Sequence, residues 1–148
     1  MAVPVDTQRS LRLEIVSPDG PVYEGDVAMV IIPAVGGEMG ILPRHAPMVA
    51  ALAIGESRVK TPAGEWFSMA VAQGFAKVQF DKVIILADAA ELASEVDLER
   101  AEQAYDEAQK KLETCRLGAA DEDNCLDPHV EEKAVARAKN RIKVVRKV

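Results

Sequence analysis

From Leu11 to about Leu92 apolar and polar residues alternate, and beyond that point the period changes. Leu11, Leu13 and Ile15 alternate with Arg12 and Glu14, Val59 stands between Arg58 and Lys60, and Phe75, Val78 and Phe80 sit beside Lys77 and Gln79. A period of two predicts strands with one buried face. The short β-branched runs Val30-Ile31-Ile32 and Val83-Ile84-Ile85-Leu86 predict strands buried on both faces. Turn-forming clusters recur at Pro18-Asp19-Gly20, Gly36-Gly37, Gly55, Pro62-Ala63-Gly64 and Phe80-Asp81-Lys82. A recurrence of about 8 to 12 residues is the spacing of an antiparallel sandwich or barrel. Residues 11–93 are therefore expected to form a β-sandwich domain behind a tail of residues 1–10.

Between Ser94 and Gly118 there is no glycine, and the chain is rich in Ala, Glu, Gln, Lys, Arg and Leu, which favour helix. Ser94 followed by Asp97 reads as a capping box with Asp in place of Glu, and Ala101, Ala104, Tyr105, Ala108 and Leu112 recur at helical spacing. Asp127-Pro128, with Glu131 and Glu132 behind it, marks a second start: Asp caps, Pro suits the first helical position, and acids favour the positive end of the helix dipole. Ala134, Ala138, Ile142 and Val145 form its apolar stripe. The chain is thus predicted to be α+β: an N-terminal antiparallel β-sandwich or barrel, then a two-helix antiparallel hairpin over 94–148 with a long acidic loop at 117–127. Taken together the stripes are mostly alanine, and burying a methyl contributes only about 0.8 kcal/mol. Such a hairpin can open for a partner that supplies the ~5.5 kcal/mol of a full population shift.

A length of 148 residues suits one ordinary domain or a small domain with an appendage. No apolar run approaches the roughly 20 residues of a membrane span, and Met1 to Ser10 reads as neither a signal nor a transit peptide. The expectation is a cytoplasm-like compartment, with membrane association only through a partner. A net charge of −6 argues against nucleic acid as a partner. Cys115 and Cys125 are expected as two free thiols there, and with His45 and His129 they give no metal-ligand spacing. The chain offers no Ser/Cys–His pair, patterned carboxylates or glycine-rich phosphate loop, so no active site is expected.

The tract from Gly37 to Pro47, GEMGILPRHAP, carries the sharpest functional signal. Gly36, Gly37 and Gly40 open positive φ while Pro43 and Pro47 fix φ and remove donors, which predicts turn and stiff loop displaying Glu38 and His45. By residue chemistry alone these two are ordinary solvated side chains. The tract resembles the loop of the epsilon subunit of F-type ATP synthases, whose pattern is roughly GE-L-GI-PGHAP, with Arg44 here in place of the usual Gly. Leu11 to Gly25 (LRLEIVSPDGPVYEG) is similar to that family's opening hairpin. Gly74-Phe75, then Val83 to Ala87 with Asp88 and Ala90, resembles its last strands, and VDLERA at Val96 to Ala101 resembles its I/L-D-x-x-R-A motif. The resemblance leaves out the N-terminal tail and the segment from Leu117 to Asp127.

The resemblance implies a non-catalytic rotor subunit in ATP synthesis driven by a transmembrane proton gradient. Its β domain would couple the gamma subunit to the c ring, with Glu38, Arg44 and His45 facing the ring. Its hairpin would restrain ATP hydrolysis through Lys133, Arg137, Lys139, Arg141 and Lys143, against the alpha and beta subunits. No cofactor is required, but a regulatory ATP site is implied at Glu91, Asp97, Arg100, Ala101, Arg137 and Arg141. Two guanidinium groups four residues apart share a helix face and suit phosphates. The structural alternative is that Asp97 caps a helix and the arginines complement its dipole. The implied location is peripheral, on the cytoplasmic face of a plasma or thylakoid membrane. The competing functional class is a free β-sandwich binding module with a helical dimerisation tail.

Overall fold

The computed structural model describes residues 9–118 and 127–147. Eight strands come first: β1 (Leu11–Ser17), β2 (Gly20–Val27), β3 (Met29–Ala34), β4 (Gly37–Ile41), β5 (His45–Leu52), β6 (Gly55–Lys60), β7 (Trp66–Phe80) and β8 (Lys82–Leu92). Two helices follow, α1 (Leu98–Arg116) and α2 (Pro128–Val145). The chain divides into two compact units, the boundary falling between Ala93 and Ser94.

In the first unit the strands run in the order β2-β1-β8-β7-β5-β3-β4, with β6 paired to both β3 and β7. Every pairing is antiparallel except β1 with β8, which is parallel. The long β7 is what folds the sheet over on itself. Its first half pairs with β6, from Lys60↔Trp66 to Gly55↔Val71, and its second half with β5, from Leu52↔Gly74 to Met48↔Val78. Between the halves Gln73 (φ 52°) and Gly74 (φ 119°) take positive φ. At Gly74 a Cβ would lie 2.0 Å from the carbonyl oxygen of Leu86, so only glycine lets β7 come this close to β8. Leu11, Leu13, Ile15, Ile32, Ile41, Met69 and Ile85 lie in the core with essentially no exposure.

The apolar runs are not buried on both faces as expected. Val30 and Ile32 are buried while Ile31 is only half-buried, and Val83 and Ile85 are buried while Leu86 is 56% exposed. A two-layered sandwich gives each strand one inner face, and alternation persists beneath a uniformly apolar sequence. The same parity turns Phe75 outward while Ala76 and Val78 enter the core; Phe80 shares the parity of Val78 and is exposed because β7 ends there in a turn at φ 54°. The Gly37–Pro47 tract also departs from expectation, being mostly strand. Gly37 to Ile41 is β4 and β5 starts at His45, because an edge strand paired only to β3 tolerates glycines that a central strand would not.

In the second unit Asp97 caps α1, its side chain accepting from the Arg100 N–H, and Asp127 caps α2 with Pro128 in the first turn. The second cap is the expected one. The first starts the helix at Asp97, three residues past the expected Ser94, because a carboxylate accepts a backbone N–H more strongly than a hydroxyl. Ala101, Ala108 and Ala138 are buried, with Ala104, Tyr105, Leu112, Ala134 and Ile142 half-buried along the expected stripes. Val144, rather than Val145, is the fully buried residue near the end of α2. Cys115 is disulfide-bonded, correcting the expectation of free thiols, which rested on the inferred compartment and not on geometry. Cys125, most of the 117–127 loop and most of the N-terminal tail lie outside the described residues. Among the described residues no helix is long and apolar enough to cross a membrane.

Candidate functional site

Arg44 and His45 stand at one end of the sandwich, where β5 begins and β7 turns into β8. A turn closes when the His45 N–H donates to the Leu42 carbonyl at 3.2 Å. Arg44 sits within it at φ 64°, a backbone that favours glycine. The geometry suits the glycine of the pattern that the tract resembles, and Arg44 meets it with help. Its backbone N–H donates to the Asp81 carboxylate at 2.7 Å, and the Asp81 carbonyl accepts from the Arg12 N–H at 2.7 Å. The His45 imidazole lies 2.8 Å from the Ala46 carbonyl through Nδ1. Directly across the β5–β7 ladder is Phe80, 67% exposed and at φ 54°. For a bulky residue that conformation costs about 1 to 3 kcal/mol.

Glu38 belongs to a different network. It is the second residue of β4, and its carboxylate meets Arg58 of β6 at 2.7 Å. No partner for Glu38 within the fold was expected; one stands across β3, where Pro33 faces Glu38 and Ile31 faces Arg58. The rest of the guanidinium is less well served, since the Arg58 Nε is buried without a hydrogen-bond partner, which costs stability. Beside it Glu56, only 7% exposed, accepts from the Ser68 hydroxyl at 2.7 Å.

A third surface was not foreseen. Across four strands the register puts Ala51 opposite Phe75, Phe75 opposite Leu86, and Leu86 opposite Val16. All four are exposed, so they form an outward apolar row. Ala51 also lines a cleft under the β3–β4 turn with Ala34, Val35 and Met39. Charged ladders border the row: Lys82 pairs with Glu14 at 2.9 Å, and Arg12 with Glu24 and Asp26. Hydrogen bonding by Glu24, the largest cause, raises the Arg12 guanidinium above its ordinary range. The signal was the single-residue parity of Phe75 against Val78, legible only once the bend at Gly74 is known.

The expected nucleotide residues are spread over both units. Glu91 lies in β8, paired to Ala70, whereas Asp97, Arg100, Ala101, Arg137 and Arg141 belong to the hairpin. The Asp97 carboxylate holds the Arg100 N–H at 3.1 Å, and Ala101 is fully buried. Ion pairs join the helices near both ends, Arg116 to Glu132 at 3.0 Å and Arg146 to Glu102 at 2.9 Å. That register sets Arg141 level with Glu107, roughly 15 Å along the axis from the Asp97 cap at ~1.5 Å per residue. Lys133, Lys139 and Lys143 are exposed, while Arg137 and Arg141 are half-buried. Among the described residues no group of His, Cys, Asp and Glu could hold a metal ion.

Residues 10–93 match the family model described as the ATP synthase delta/epsilon chain, beta-sandwich domain, and residues 94–146 match its long alpha-helix domain. The chain belongs to the ATP synthase delta/epsilon chain family. It is similar to the ATP synthase epsilon chains of Halalkalibacterium halodurans, 46% identical over 91% of this chain and 96% of that one, and of Bacillus pumilus, 42% identical over 94% and 99%. That of Desulforamulus reducens is 38% identical over 91% and 96%. Among solved structures it resembles a chain of the Euglena gracilis mitochondrial ATP synthase, in an assembly of OSCP, F1 and c-ring. The TM-score is 0.72 at 25% identity, covering 95% of this chain and 84% of that one. A chain from the central stalk and c-ring of the Tetrahymena thermophila mitochondrial ATP synthase shares the fold, with a TM-score of 0.51 at 11% identity over 93% and 94%.

Proposed function

We propose that this chain is the non-catalytic, epsilon-type rotor subunit of an F-type ATP synthase, joining the gamma subunit to the c ring through its β-sandwich. The observation that carries this reading is the exposed row Val16–Leu86–Phe75–Ala51, on a chain that matches the family in both of its units. A contiguous apolar row bordered by charged ladders is what a permanent protein interface needs. The gamma subunit is its occupant in this reading, and Glu38, Arg44 and His45 face the ring. The hairpin meets the alpha and beta subunits through its basic second helix, restrains hydrolysis, and takes ATP as a regulatory ligand. Its two interhelical ion pairs close the helices on each other within one chain, which leaves little reason for a dimerisation tail. The subunit would sit on the cytoplasmic face, held to the membrane only through the complex.

Reconstitution with epsilon-depleted enzyme tests this. Phe75→Ser with Leu86→Ser should abolish assembly with gamma, and ending the chain after Ala93 should preserve assembly while raising ATP hydrolysis. Assembly unaffected by the paired change would overturn the gamma surface, and unchanged hydrolysis would overturn the restraint.

A further inference from the structure

We infer that the β7–β8 turn forms the second half of the surface that meets the c ring, with Phe80 as its apolar anchor and Asp81 as the residue that positions the Arg44–His45 loop. The inference rests on the rotor reading above and extends it to residues outside the tract. Phe80 takes φ 54° with its ring 67% exposed. Glycine or asparagine is the residue that backbone favours, and a ring two-thirds exposed gives the fold little packing in return. A bulky aromatic there is costly to the free subunit and useful only to a partner that covers it.

Its position says which partner. Phe80 is paired directly with His45, and the Asp81 carboxylate and carbonyl hold the N–H groups of Arg44 and Arg12 at 2.7 Å each. Loop and turn are therefore one piece. Leu42, on the same loop, is 54% exposed, and the Arg44 guanidinium has no ion pair among the described residues. The end of the sandwich thus presents a cation and an imidazole with two large apolar side chains. That combination fits protein turns offering hydrogen-bond acceptors beside aliphatic groups, as a ring of short polar loops at a membrane surface does.

The test measures binding of the full-length chain, with gamma present, to purified c ring. Phe80→Asn, which suits positive φ, should leave the melting temperature unchanged or raised while weakening ring binding roughly tenfold. Asp81→Ala should weaken binding too, and Asp81→Asn, which keeps an acceptor oxygen, should restore it. His45→Ala probes the underlying reading. If His45→Ala weakens binding and Phe80→Asn does not, this inference is overturned and the rotor reading stands; if the ring is not bound at all, both fall. A lowered melting temperature for Phe80→Asn would assign the ring to the fold instead. Equally tight binding to protein-free phospholipid vesicles would make the occupant lipid and overturn the inference.

Discussion

Arg58 holds the carboxylate of Glu38 at 2.7 Å, so the acid of the sequence's sharpest motif is already engaged within its own domain. The pair reaches across β3 on the outer face, with the two side chains 38% and 60% exposed. Solvent at that exposure screens the attraction, and exposed pairs contribute about 0.2 to 1 kcal/mol. A double-mutant cycle of Arg58→Gln and Glu38→Gln, followed by thermal denaturation, should give a coupling energy within that range that shrinks in high salt. A coupling above about 2 kcal/mol, insensitive to salt, would mean that the pair behaves as a desolvated one and not as an exposed surface pair.

Gly74 and Gly64 both have positive φ, 119° and 92°, but differ in what a methyl group would meet. At Gly64 nothing lies within 4 Å, whereas at Gly74 the Leu86 carbonyl oxygen is 2.0 Å away. Gly64→Ala should cost about 1 kcal/mol, for backbone strain alone. Gly74→Ala should cost about 3 kcal/mol or more, since β7 must separate from β8 where the sheet bends. Denaturant unfolding of the two variants decides it, and equal costs would show that the bend is not needed for stability.

The same bend explains which parts of the fold and site were legible in sequence. Alternation at Leu11, Leu13 and Ile15 reports directly on burial, because β1 keeps one face inward throughout. The Asp127-Pro128 start was equally legible, since capping and proline geometry are local. Phe75 and Phe80 were not, because a strand that changes neighbours at Gln73–Gly74 carries residues whose exposure depends on pairing partners far away in sequence. Glu38 and His45 were found through their motif, yet Arg58 and Asp81, which hold Glu38 and the Arg44 backbone, lie 20 and 37 residues from their partners. Local spacing carries no record of such contacts.

Glu132 should make the hairpin sensitive to acid. The Arg116 hydrogen bond, its largest influence, holds the carboxyl below its ordinary 4.5 against the opposing effect of desolvation, with His129 adding in the same direction. A depressed folded-state value gives stabilisation that is complete above the ordinary value and is lost as pH falls through the lowered one. The helix signal in far-UV circular dichroism should therefore melt at lower temperature as pH drops below about 4.5. Glu132→Gln should remove part of that dependence, and an identical acid profile in the variant would show that other carboxylates carry it.

Nucleotide binding by the hairpin should appear as stabilisation by ATP that follows RT ln(1 + [L]/Kd), about 2.7 kcal/mol at a hundredfold excess over Kd. The Asp97 cap and Arg141 lie roughly 15 Å apart along the helix axis, so one ligand engaging both must extend along the hairpin. ADP, shorter by a phosphate, should stabilise less. Arg137→Ala should cut the gain while changing the unliganded stability by no more than about 0.5 kcal/mol. Asp97→Asn separates the two roles of that residue: asparagine caps about as well as aspartate, so the unliganded melting temperature should hold while the ATP gain falls if the carboxylate orients the ligand. A full ATP gain in Asp97→Asn would leave Asp97 a cap alone. No gain for the native chain at millimolar ATP would leave Arg137 and Arg141 with the charge of the helix end and with contacts to the alpha and beta subunits.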